Sequence, residues 1–162
     1  MIVTPSRDAL PLDDLDRRIL AVMQLDASLT QAALAARVHA SPATCLRRVR
    51  RLVEAGVIER QVAIVSPQAL GGVLTAILEV SLERQAAEML DAFEARVAAE
   101  PAVQQCYRVS PGPDFVLIVQ VRDMPAYQAL AARLLTSDAQ VRNVRTFFAI
   151  RRGKFDTQLP VA

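Results

Sequence analysis

From Ser41 to Gly56 the chain reads SPATCLRRVRRLVEAG, and a single helix accounts for the whole stretch. Ser41 is a natural N-cap, because its hydroxyl accepts an N–H that the first turn leaves orphaned. Pro42 suits the first helical position, having no N–H to lose. The helix runs from Pro42 to Ala55 and stops at Gly56, the residue best able to take a left-handed C-terminal turn. Wound at helical pitch, Cys45, Leu46, Val49, Leu52 and Val53 form an apolar arc. Thr44, Arg47, Arg48 and Arg51 form a polar stripe away from it. None of these arginines has an acid at i+4 to neutralise it.

Upstream, two shorter amphipathic helices lead into this one. Asp13 caps the first, with Asp16 three residues on, and Leu15, Ile19, Val22 and Met23 mark its apolar side. It stops near Asp26-Ala27-Ser28. The second runs from an N-cap at Thr30 through Leu34 to Val38. Downstream of Gly56, residues 57–65 (VIERQVAIV) are β-rich and read as a small wing. Three short helices, the third carrying arginines, make a winged helix-turn-helix whose third helix reads the major groove of double-stranded DNA. Ser41, Pro42, Ala43, Thr44, Arg47, Arg48, Arg50 and Arg51 are the candidate DNA contacts. Ala43, Thr44, Arg47 and Arg48 are placed for base edges, and Arg50 and Arg51 for phosphates.

Charge placement agrees with that reading. The chain carries only +2 overall, yet residues 37–60 hold six arginines (37, 47, 48, 50, 51, 60) against Glu54 and Glu59. A basic helix face is often merely solvated. Here it follows a Ser-Pro helix start and two amphipathic helices, which favours a phosphate-facing surface.

Beyond a turn-rich connector at residues 67–72, the pattern changes. Residues 73–83 read as a strand with Leu74, Ala76, Leu78, Val80 and Leu82 on one face. Ala86, Leu90, Phe93 and Val97 mark a helix ending before Pro101. Val103, Gln105, Tyr107 and Val109 suggest a second strand, and residues 115–122 a third. A second helix starts at Pro125, with Tyr127, Leu130, Ala131 and Leu134 inward, and residues 141–152 give a fourth strand. This βαββαβ order is that of a ferredoxin-like α+β domain. The expected layout is therefore a winged helix-turn-helix domain over 1–66, a linker over 67–72 and a ferredoxin-like domain over 73–162. In the third strand, Phe115, Leu117, Val119 and Val121 line one face while Val116 and Ile118 line the other. Helices cover one face of such a sheet, so an apolar second face calls for a partner, most simply the same sheet of a second copy. A two-fold dimer would present two reading helices to a roughly palindromic operator.

The order of these motifs resembles the leucine-responsive regulator/AsnC (Lrp/AsnC, or feast/famine) family. The resemblance runs from Leu12 to Pro160 and rests on LDDLDRRIL at 12–20, SPATCLRRV at 41–49, LVEAGVI at 52–58 and the Asp114-Phe115 strand start. It implies a transcription regulator that dimerises through its C-terminal domain and often assembles further, to a tetramer or an octamer. It also implies a small effector, commonly an amino acid, held near the turn between the second and third strands. Carried onto this chain, that turn is Ser110, Pro111, Gly112, Pro113 and Asp114, with Thr136, Ser137 and Asp138 as second-side contacts. The chain departs from the family pattern at Ser110-Pro111, where threonine-glycine is usual. Pro111 and Pro113 also remove two backbone donors. Asp114 is open to two roles, holding an α-amino group or capping the turn.

Other classes fit less well. Some relatives of the family are haem-biosynthesis decarboxylases that rely on histidines, but this chain has one, His39, placed before the reading helix. There is no Ser-His-Asp set, no glycine-rich phosphate loop and no metal-ligand cluster, so neither an enzyme, a cofactor nor a metal is expected. A ligand-sensing or assembly module without DNA binding would leave the arginine stripe unused. Cys45 and Cys106 are far apart and read as packing residues of a reduced, cytoplasmic protein. Mean hydropathy is +0.24, yet no apolar run approaches the roughly 20 residues of a membrane helix. No signal peptide is read at the N-terminus.

Overall fold

The computed structural model describes residues 10–136 and 138–161 and divides them into two compact units. One holds residues 10–64 together with 154–161; the other is Val65–Gly153. Among the described residues no helix is long and apolar enough to cross a membrane.

The first unit contains α1 (Asp14–Leu25), α2 (Gln31–Val38) and α3 (Pro42–Glu54). Each starts where its capping residue dictates. Asp13 and Asp16 close a reciprocal capping box on α1, Thr30 accepts from the Ala33 N–H, and Ser41 accepts from the Thr44 N–H with Pro42 next to it. Gly56 (φ 70°) turns the chain out of α3, and the Ile58 N–H closes back on the Leu52 carbonyl at 3.1 Å. Ile19, Leu20, Leu34, Ala35, Val38, Cys45 and Leu52 form the core.

Two features of this unit differ from the sequence reading. Among the described residues, 57–65 form no strand, and Val62, Ile64 and Val65 stay exposed. A strand requires a ladder partner, and the described residues of this unit supply none. The tail from Lys154 onward, read as part of the C-terminal domain, belongs instead to the first unit. Val161 packs against the helical core, and the Gln24 amide exchanges two hydrogen bonds with the Leu159 backbone, at 3.0 and 2.6 Å.

In the second unit, β1 (Leu74–Leu82), α4 (Ala87–Ala98), β2 (Val103–Arg108), β3 (Phe115–Val121), α5 (Met124–Ala131) and β4 (Val141–Phe148) follow the expected βαββαβ order, with a π turn at Ala132–Thr136. The strands form one antiparallel sheet in the order β2-β3-β1-β4, as the ferredoxin-like arrangement requires. Alternation sends Ala76, Leu78, Val80 and Leu82 of β1, and Phe115, Leu117 and Val119 of β3, onto the helices. There they bury Phe93, Val97, Leu130, Leu134 and Leu135, with the Phe93 and Phe115 rings 4.8 Å apart. On the opposite face Ile77 pairs across to Ile118 and Phe147, and Val116 to Tyr107. Ile77, Tyr107 and Phe147 remain 36, 52 and 44% exposed.

Candidate DNA-binding and effector sites

The α2–α3 pair has the geometry of a helix-turn-helix. The turn between them is sharp because His39 adopts the left-handed conformation (φ 54°, ψ 52°), from which Ser41 starts α3. Cys45 and Leu52 anchor α3 on the core. That leaves Ala43, Leu46, Arg47, Arg50, Arg51 and Glu54 around a shallow hollow on its outward side. Ser41, Pro42 and Ala43 are exposed at its start. The Ser41 hydroxyl is already committed to the cap, accepting from the Thr44 N–H at 3.2 Å and donating to Thr44 Oγ1 at 2.9 Å.

The four arginines of α3 fall into two pairs with different surroundings. Arg47 and Arg50 are exposed and make no ion pair among the described residues. Arg48 turns onto the N-terminus of α1, and Arg51, at the edge of the hollow, reaches the same acidic site with its guanidinium. Arg48 Nη1 lies 2.6 Å from Asp13 Oδ2 and 3.2 Å from both oxygens of Asp16, and Arg51 Nη2 also pairs with Asp16. The Asp16 side chain is fully buried. An unpaired carboxylate there would be costly, and the two guanidiniums compensate it. The Asp16 backbone N–H and then the Arg48 guanidinium hold the Asp13 carboxyl below the usual carboxylate range. Hydrogen bonding to Asp13 raises the Arg48 pKa in turn. Glu54 is the one acid on α3, a turn beyond Arg50 and Arg51, and the acids that pair with Arg48 and Arg51 come from the start of α1, 32 and 35 residues back. The capping pattern at 13–16 was visible in the sequence; its second task was not.

The candidate effector residues gather at one end of the sheet, where β1 ends and β3 and β4 begin. Ser110, Pro111 and Gly112 are exposed in the turn, which the Val109 N–H closes onto the Asp114 carbonyl at 3.1 Å. Gly112 has φ 128°, a conformation that side chains disfavour. Pro113 is partly buried. Asp114 is buried, and its two oxygens accept from the Leu82 N–H at 2.7 Å and Gln85 Nε2 at 2.8 Å. Of its two open roles, the structure therefore shows Asp114 tying the turn to the end of β1. Gln85 was not singled out in the sequence, since a glutamine in a loop carries no distinguishing pattern. Thr136 is exposed. Asp138 pairs with Arg96 and accepts from the Gln140 N–H at 2.9 Å. Ser137 lies outside the described residues. The Glu83 N–H reaches the Gln140 carbonyl at 2.8 Å, so the loops after β1 and before β4 are joined at this same end.

Cys45 is fully buried, and Cys106 is partly buried beside Glu94, which together with burial raises its thiol pKa. The surroundings of Cys106 favour the unreactive thiol.

Comparison with known proteins extends these observations over both units. A winged helix-turn-helix DNA-binding family model matches residues 12–59, and the Lrp/AsnC ligand-binding-domain model matches residues 75–159. The chain is 39% identical over 150 residues to the leucine-responsive regulatory protein of Rhizobium meliloti, covering 93% of this chain and 96% of that one. It is 37% identical over 146 residues to an HTH-type transcriptional regulator of Haemophilus influenzae, covering 90% and 87%. Among solved structures, a Neisseria meningitidis transcriptional regulator in complex with L-Met matches with a TM-score of 0.85 at 32% identity, over 93% of this chain and 97% of that one. An AsnC-family regulator from Agrobacterium tumefaciens matches equally well, with a TM-score of 0.85 and 35% identity over the same shares.

Proposed function

The chain belongs to the Lrp/AsnC family of transcriptional regulators, and from that premise we propose that it binds operator DNA through Arg47 and Arg50 of α3, as a dimer that senses an amino acid. The observation that carries this reading is the pair of exposed guanidiniums, without an ion pair among the described residues, on the outward side of a helix-turn-helix second helix. Arginine on that face can take the N7 and O6 acceptors of guanine or a phosphate. Ser41, Pro42, Ala43 and Thr44, at the start of the helix, form the part that approaches the groove floor. The reading places the protein in the cytoplasm with the chromosome.

The effector belongs at the sheet end formed by Ser110–Asp114 and Thr136–Asp138. Because Asp114 and Asp138 are already occupied, they act as props for the two loops. The exposed Ser110 and Thr136 hydroxyls and the Gly112 backbone remain to meet the ligand. The Neisseria meningitidis relative, solved with L-Met, makes an amino acid the class to test first.

Fluorescence-anisotropy titration against the upstream region of the protein's own gene, with random DNA as competitor, tests the DNA reading. Specific affinities of this kind lie near 10⁻⁸ to 10⁻¹¹ M, so roughly nanomolar binding that weakens steeply with salt is expected. Arg47→Ala with Arg50→Ala should cost at least about tenfold while leaving the oligomeric state unchanged. Wild-type-like binding by that variant would refute the assignment. Repeating the titration with L-amino acids, on wild type and Gly112→Val, locates the effector: an amino-acid-dependent shift should vanish in the variant.

A further inference from the structure

We infer that Asp13 and Asp16 are specificity-determining residues: they hold Arg48 and Arg51 away from DNA phosphates, leaving the contact to Arg47 and Arg50. The inference rests on the DNA-binding reading and goes further, because it assigns half of the basic charge on the reading helix to a partner inside the protein.

Three observations support it. Asp16 is buried to 0% exposure, and its carboxylate meets the Asp13 N–H and the Arg48 and Arg51 guanidiniums. Surrendering either to a phosphate would leave a buried carboxylate undercompensated, whereas an exposed arginine gives up only water. The Arg48 and Arg51 side chains are 18% and 37% exposed, and the Nε atoms of both are buried, so both guanidiniums are held against the protein rather than free in solvent. Asp13 is tied in place by the reciprocal capping box with Asp16, so the local structure of α1 holds the two carboxylates together.

The consequence concerns discrimination between DNA sequences. Phosphate contacts add affinity for any sequence, and base contacts add it for one. Four free arginines on one short helix would strengthen non-specific binding throughout the genome. Neutralising two of them lowers that background and fixes α3 against α1, which sets the angle at which Arg47 and Arg50 are presented.

The salt dependence of binding provides a readout that a purely structural role would not move. Each phosphate contact contributes about 0.9 to the slope of log affinity against log salt. Arg51→Gln, and the paired replacement Arg51→Gln with Asp16→Asn that removes both charges together, should leave the wild-type slope unchanged. Arg50→Gln should lower it by about 0.9 if that residue meets a phosphate. Asp16→Asn with Asp13→Ser, where serine preserves the cap, should steepen the slope and tighten random-DNA binding several-fold, narrowing the specific-to-random ratio. Circular dichroism and thermal melting confirm that each variant is folded. A slope lowered by about 0.9 in Arg51→Gln or in the paired variant would overturn the inference, as would an unchanged slope and ratio after loss of both carboxylates. A wild type with no salt-dependent affinity for any DNA would instead remove the DNA-binding reading, and this inference with it.

Discussion

His39 occupies the left-handed region at φ 54°, ψ 52°, at the turn that sets the direction of α3. Histidine tolerates that conformation better than most residues, but a β-branched side chain pays for it in full. The expected order of stability at this position is Gly at or above His, with His39→Val lower by about 1–2 kcal/mol. Urea denaturation followed by helical ellipticity measures it, and a valine variant as stable as wild type would mean the turn relaxes without strain. The same scale shows why identical residue types on one helix differ in use. Arg47 and Arg48 are neighbours in sequence, yet one is exposed and the other meets two carboxylates. The helical rotation of a single residue separates the two fates.

Among the elements, the returning tail has an energetic role beyond its few residues. Gln24 on α1 both donates to and accepts from the Leu159 backbone, and Val161 adds apolar contact with the helical core. Hydrogen bonds of this exposed kind contribute about 0.5–1.5 kcal/mol each in net terms. Gln24→Ala, or deletion of residues 159–162, should therefore lower the stability of the N-terminal unit by about 1–2 kcal/mol. Hydrogen exchange of the α1 and α2 amides should report the loss, with the β1 and β3 amides unchanged. Protection of α1 unaffected by the deletion would show that the tail contributes nothing to that unit.

For the whole molecule, the open face of the sheet is the feature that a single chain leaves unfinished. Ile77 sits at its centre between Ile118 and Phe147, and the Glu79–Arg145 ion pair lies alongside at 3.3 Å. An apolar centre beside charged residues is the composition of an interface core and its rim. Light scattering is expected to give a mass of at least a dimer for wild type and a monomer for Ile77→Lys, with the helical signal retained. A monomeric wild type would remove the sheet from consideration as the dimer contact.

The caps at Asp13, Thr30 and Ser41, the stop at Gly56 and the alternation along β1 and β3 place five elements, because helix ends and strand faces depend on residues a few positions apart. The candidate DNA helix was legible for the same reason. Three things required tertiary structure: the clamp from Asp13 and Asp16 to Arg48 and Arg51, the Asp114–Gln85 tie, and the docking of the tail onto α1. Each joins groups 29 to 135 residues apart, through charges and amides whose pairing leaves no periodic trace in the chain. The unpaired stretch at 57–65 makes the same point in reverse: β-forming residues are a local property, whereas a strand exists only where a second one comes to lie beside it.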